Sequence, residues 1–192
     1  MKNAFWIVVI VIAAIIGAMY GPSLLETFPP EVVLIGGGLF FLALIGFVIF
    51  SLSGNKGGRR ADASAEAAAR TLRAPEDKAR IYFIRRGFVA SLQGMNVSVD
   101  ENFKGQIKSG KFVMAEVAPG AHRLNARMAR GGKSTAAEMD FDLAPGESAF
   151  VVATIEMGAL AASTKLTRVD ETRARDELAG VKMMMWESAP AA

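Results

Sequence analysis

The 192-residue chain has no cysteine and one histidine, His122. Without a thiol there is no disulfide scaffold, no thiolate metal site, no cysteine nucleophile and no acceptor for a lipoprotein's acyl chain. A lone histidine excludes multi-histidine zinc centres and most Ser-His-Asp arrangements. Only two tyrosines and two tryptophans are present, too few to suggest a base-stacking platform. No catalytic residue, cofactor ligand or metal ligand can be nominated, so the expectation is a non-enzymatic binding or structural module without cofactor or metal.

Charge is absent from two long stretches. Residues 4–20, AFWIVVIVIAAIIGAMY, form an uncharged run of 17, and residues 32–52, VVLIGGGLFFLALIGFVIFSL, one of 21. A helix needs about 20 apolar residues to cross roughly 30 Å of hydrocarbon, and neither run shows the polar stripe of a soluble amphipathic helix. Two transmembrane helices in a hairpin over residues 1–52 follow, joined by Gly21–Glu31 with its three prolines and two acids. Trp6 and Tyr20 near the ends of the first run suit the headgroup layer, as do Lys56, Arg59 and Arg60 beyond the second. Lys2 and these three basic residues flank a connection that has none. The positive-inside rule therefore places both the N-terminus and the C-terminal domain in the cytoplasm of a bacterial inner membrane. A cleaved signal peptide over residues 1–20 is the rival reading. Small residues at Ala13, Gly17 and Gly21, and at Gly36, Gly37, Gly38 and Gly46, permit close helix approach, either within the hairpin or between copies. Neither run holds an ionisable group, which argues against a transport path through this pair alone.

Residues 53–78 read as a basic, Ala-rich linker: a glycine-rich tether, SGNKGGRR, and then a short helical stalk from about residue 61, capped by Asp62 or Ser64 and ended by Pro75. From residue 79 the period changes from helical to alternating. Strands are expected at 79–88, 96–99, 103–107, 111–117, 122–128, 136–143, 149–156 and 164–169, the seventh apolar enough to be covered on both faces. Ala118-Pro119-Gly120 and Ala144-Pro145-Gly146 suit type II turns and mark a weak internal repeat of a β-meander. This gives a small antiparallel, sandwich-like all-β domain over 79–169, and with the hairpin a membrane-anchored α+β protein. Residues 170–192 supply a short helix and a tail in which Met183, Met184, Met185 and Trp186 either contact a partner or fold back onto a sheet edge.

Three candidate sites deserve weighing. Gly131-Gly132-Lys133-Ser134-Thr135 looks like the end of a phosphate-binding loop, but Arg127 occupies the first glycine position and no helix follows, so a polar turn is expected. Asp140 and Asp142 share one face of a strand, where solvent exposure explains them. Arg85, Arg86, Arg123, Arg127 and Arg130 suggest a basic face. Residues 53–192 hold 21 basic and 17 acidic residues, a net of +4, and the interspersed acids argue against nucleic acid. The expected partners are the lipid bilayer and another membrane protein or a second copy of the chain.

The stretch from Arg80 to Val169 resembles the DUF2846 family of bacterial domains of unknown function, itself similar in outline to PEGA-type β-sandwich modules. The resemblance rests on Arg85 in the opening strand, Val97-Ser98-Val99-Asp100 with Gly105-Gln106-Ile107, and Val117-Ala118-Pro119-Gly120-Ala121-His122. It covers about half the chain and implies a fold and no reaction. Members of that family are commonly exported, often as lipoproteins, whereas this chain carries a double anchor and cytoplasmic charge signals.

Overall fold

A computed structural model describes residues 15, 19, 21–23, 26–158 and 162–189. It divides into two units, 1–50 and 51–192.

In the first unit, helix α1 runs from Pro30 to Leu52. Its stretch Pro30–Phe50 is long and apolar enough to cross a membrane, as an anchor or as a signal sequence, and no part of it is buried. Proline is well suited to a first helical position. The preceding break is shorter than the expected Gly21–Glu31 loop: residues 21–23 and 26–27 are already helical, and Thr27 Oγ1 donates to the Ser23 carbonyl at 2.6 Å. Among the described residues of this stretch, only Phe28 and Pro29 are non-helical, and each precedes a proline that pushes it out of the helical region. Trp6, Ala13, Gly17 and Tyr20, and with them most of the expected first crossing, lie outside the described residues. A Cβ added at Gly21, Gly36, Gly37, Gly38 or Gly46 would meet nothing within 4 Å, so no packed helix pair is seen among the described residues.

The second unit is a β-sandwich. Strands β1 (Ala79–Arg85), β4 (Lys111–Val117), β7 (Ser148–Met157), β8 (Ala162–Val169) and β9 (Lys182–Met183) form a mixed sheet ordered β8-β7-β1-β4-β9. Strands β2 (Met95–Val99), β3 (Phe103–Ile107), β5 (Gly120–Met128) and β6 (Ala137–Leu143) form an antiparallel sheet ordered β3-β2-β5-β6. The sheet is not wholly antiparallel as expected, because β1 pairs in parallel with β7, and β4 with β9.

Alternation sorts the side chains. Ile81, Phe83, Val113, Ala115, Val151 and Ala153 from the five-stranded sheet meet Val97, Val99, Leu124, Ala126, Phe141 and Leu143 between the sheets. The opposite parity, Tyr82, Ile84, Phe112, Phe150 and Val152, builds a second core on the outer face. There it is covered by α2 (Ala63–Arg70) through Ala69, by Leu72 just beyond it, and by α3 (Glu171–Leu178) through Ala174 and Leu178. Coverage on both faces explains the unbroken buried runs of β1 and β7.

The expected stalk is therefore packed structure. Asp62 caps α2 by accepting from the Ala65 amide at 2.7 Å, and Tyr82 donates from the core to the Ala69 carbonyl at 2.8 Å. Arg70 reaches the Leu178 and Val181 carbonyls at 3.1 and 2.6 Å, tying α2 to the end of α3. The expected tether is held too: Gly54 accepts from Gln106 Nε2 at 3.0 Å, and Asn55 Nδ2 donates to the Leu92 carbonyl at 2.8 Å.

Of the two outcomes considered for the Met-Trp run, the structure has the inward one. Met183 and Met184 are buried, and Met184 donates its amide to the Phe112 carbonyl at 2.8 Å. Trp186 Nε1 donates to the Met114 carbonyl at 2.7 Å while its ring lies 5.6 Å from that of Phe103. Residues 187 and 188 then hydrogen-bond to Lys104 of β3, so the tail passes from the free edge of one sheet to that of the other. It caps an edge that would otherwise expose unpaired backbone.

Candidate functional site

Among the described residues, no helix covers the outer face of the four-stranded sheet. Its outward parity carries Asn96 and Ser98 on β2, Lys104 and Gln106 on β3, Asn125 and Arg127 on β5, and Glu138 on β6. Antiparallel register sets Asn96 beside Arg127 and Gln106, and Asn125 beside Ser98 and Glu138. Together they floor an open groove of about 630 Å³, rimmed by Gly54, Lys56 and Glu187.

Gln106 organises the rim. Its Nε2 donates to Asn96 Oδ1 at 2.8 Å and to the Gly54 carbonyl, and its Oε1 accepts from the Lys56 amide. Gly94 is required alongside it, since a Cβ there would lie 2.2 Å from Gln106 Oε1. The rim charges are paired, Lys56 with Glu187 at 3.4 Å and Lys104 with Glu101 at 2.8 Å. Arg127 and Glu138 form no ion pair among the described residues. The groove thus offers amide and hydroxyl hydrogen-bonding groups and, in Arg127 and Glu138, one charge of each sign outside an ion pair among the described residues, beside small apolar side chains such as Val97, Ala126 and Ala137.

Arg85, a resemblance position, has no place in any basic face. It is 1% exposed at the end of β1, with no carboxylate partner among the described residues. Its guanidinium donates to the carbonyls of Gln93 (2.5 Å), Ile107 (2.8 Å) and Ala90 (2.8 Å). Burial pushes its pKa down to about 10, which leaves it charged at neutral pH. Arg86 pairs with Glu177 at 3.3 Å and Arg123 with Asp140 at 2.7 Å. The hydrogen bond to Asp140, and then its charge, raise the Arg123 pKa. The five arginines are dispersed between core, ion pairs and surface.

His122 sits on the inward parity of β5 at the opposite end of the sandwich. Its Nδ1 contacts Asp100 Oδ2, its Nε2 lies 2.6 Å from the Ala118 carbonyl, and Asp100 Oδ1 accepts from the Arg123 amide at 2.7 Å. The residue joins two turns. Asp140 and Asp142 project from the other face of the sheet, so these three side chains do not converge. No three groups among histidine, aspartate and glutamate come together as a metal cluster among the described residues. The Gly131–Thr135 string forms the β5–β6 connection, with a short 3-10 turn over Lys133–Thr135 and Thr135 Oγ1 bonded to the Gly132 carbonyl at 2.9 Å.

Lys56 and Arg60, expected at the membrane interface, are paired with Glu187 and Glu66, and Arg59 accepts through its carbonyl from the Met185 amide. The groove itself was missed in the sequence; the polar alternation at 96, 98, 125 and 127 signalled an exposed face, but not that it is concave.

Residues 75–165 match the DUF2846 family model, described as a protein of unknown function. No curated protein matches the chain. The DUF2846 segment begins just before β1 and ends within β8, so it contains the groove floor, Arg85 and the His122 turn pair. It leaves out α1, and also α2, α3 and the tail, which cover the outer face of the five-stranded sheet and seal the edges of β3 and β4.

Proposed function

We propose that this is a membrane-anchored, non-enzymatic protein-binding module, an accessory or scaffolding subunit of a membrane assembly. Its DUF2846 segment would form a PEGA-like sandwich docking a partner membrane protein, or a second copy, on the uncovered sheet. In this reading residues 1–52 form a two-helix hairpin, packed through its small residues, in a bacterial inner membrane. Both termini are cytoplasmic, as the basic residues beyond α1 and the uncharged runs suggest. Anchoring raises the effective concentration of the domain near membrane partners.

The observation that carries the binding surface is the asymmetry of the sandwich. One sheet is covered on both faces and one edge pair is sealed by the tail. Among the described residues, the other sheet keeps an uncovered, concave outer face, rich in polar side chains, beside β6 at the sheet's edge. A second reading, a small polar ligand or lipid headgroup in the groove, is favoured by its volume and by Arg127 and Glu138.

Purification of the tagged chain from native membranes in mild detergent, followed by lysine cross-linking and mass spectrometry, tests this. The expected result is a stoichiometric partner cross-linked to Lys56 or Lys104 and lost from N125R/R127E protein of unchanged thermal stability. Isolation of the chain alone, without intermolecular cross-links, overturns it and moves the weight to the small-ligand reading.

A further inference from the structure

Within 51–192 only three large apolar side chains are exposed among the described residues, Phe88 (86%), Leu92 (69%) and Met157 (49%), and all lie at one end of the sandwich. Phe88 and Leu92 belong to the β1–β2 loop. Met157 closes β7, which runs parallel to β1 with Ala153 beside Arg85, so both strands deliver their ends to the same side. The β3–β4 and β5–β6 connections are at this end as well, because Met95 pairs with Ile107 and Met128.

Charge is sorted in the same way. Connections 86–94, 108–110 and 129–136 at this end carry Arg86, Lys108, Arg130 and Lys133 and no acid of their own, and of these Arg86 is paired with Glu177 of α3. Segments 75–78, 100–102 and 144–147 at the far end carry five acids and one lysine.

The chain also arrives here from the apolar helix. Asn55 is bonded to Leu92 and Gly94, and Ser53 Oγ accepts from Arg130. Asn55 follows Leu52, the last residue of α1, by three positions, a reach of at most about 10 Å.

The β1–β2 loop has a set shape. The buried Arg85 guanidinium holds the Ala90 and Gln93 carbonyls, turns close at 3.1 Å from Ser91 to Phe88 and from Gln93 to Ala90, and Ala90 takes a φ of +52°. Val89 and Ala90 pack against the inner core, while Phe88 and Leu92 point to solvent. Such strain in a non-glycine residue persists only where its surroundings enforce it.

We infer that this end of the domain rests on an anionic lipid surface, with Phe88, Leu92 and Met157 entering the headgroup boundary and Lys108, Arg130 and Lys133 facing acidic headgroups. The inference depends on α1 being a membrane anchor. It differs from partner binding in assigning another surface and a lipid occupant.

The absence of cysteine makes the test direct. Single-cysteine variants S91C and K108C at this end and A144C at the far end, about 23 Å away along seven-residue β1, are labelled with an environment-sensitive fluorophore. Each full-length protein is reconstituted in phosphatidylethanolamine–phosphatidylglycerol vesicles containing doxyl lipid. The Ser91 and Lys108 reporters should be blue-shifted and quenched by doxyl lipid, with the Ala144 reporter open to aqueous iodide. In F88S/L92S protein the quenching of the Ser91 reporter should fall to the Ala144 level. Reporters at 91 and 108 as open to iodide as that at 144 overturn the proposal. Shielding from iodide without doxyl quenching also overturns it, in favour of a protein contact. Flotation after an alkaline wash separates the two failures: protein that leaves the vesicles refutes the anchor itself, while retained protein with aqueous reporters refutes only the lipid-facing end.

Discussion

Arg85 shows how one residue joins the core to a surface loop. A buried guanidinium is tolerated here because three carbonyls replace its water. Charge-assisted hydrogen bonds contribute more than neutral ones, and Arg85→Met would leave those acceptors unsatisfied. The expected loss is roughly 2–4 kcal/mol, read as a lower urea midpoint with unchanged slope. Loss of order in residues 86–94 should accompany it in hydrogen exchange. Glu66 gives a pH prediction. The hydrogen bond from Arg70 holds its carboxylate below the ordinary value of 4.5, and the Ala65 amide and Ser64 hydroxyl do the same for Asp62. Their folded values are depressed, so the unfolded chain binds protons first as pH falls. The stabilisation is therefore present above about pH 4.5 and lost as pH drops through the folded values. Glu66→Gln should lower the urea midpoint at neutral pH and flatten its fall towards about pH 3. Identical acid limbs in the two proteins would refute the assignment.

At the level of elements, the tail is the part whose placement had two outcomes in the sequence. A Met-Met-Met-Trp run at the end of a chain is apolar and adaptable, which suits a partner surface and a sheet edge equally. Long-range geometry decides: the edges of β4 and β3 lie open side by side, and Gly105 admits the Trp186 ring, whose Cε3 is 3.3 Å from where a Cβ would stand. Removing residues 182–192 should expose both edges and produce concentration-dependent association in light scattering, whereas a free tail would leave the oligomeric state unchanged. The existence of β1 to β8 was legible because alternation is a local property, whereas the two-residue β9 in the tail was not read as a strand. Ends were less so: β1 stops at Arg85 instead of Phe88, since Gly87 takes a φ of +102° that turns the chain out of the sheet. Parallel pairing was hidden, because the order of strands is set by which faces meet and leaves no mark on each strand's own pattern.

For the whole molecule, the apolar stretch Pro30–Phe50 spans about 31 Å as a helix, enough for the hydrocarbon layer. An anchoring role predicts that the full chain stays in the membrane pellet after alkaline carbonate extraction. Residues 51–192 alone should be extracted; retention of the shortened chain without α1 would count against anchoring by the helix. Sequence alone determined that a long apolar stretch precedes a β-rich domain, that the domain lacks thiol chemistry, and where most of its strands and Pro-Gly turns fall. Each depends on composition or on a period of a few residues. Tertiary structure alone decided that the supposed stalk is the second layer of a core, that Arg85 is buried, that the tail seals an edge, and that one polar sheet face is hollow. Those outcomes depend on contacts between residues far apart in the chain, such as Asn55 with Leu92 and Trp186 with Met114. Burial of shared apolar area and satisfaction of backbone groups choose among them only once the sheets are assembled.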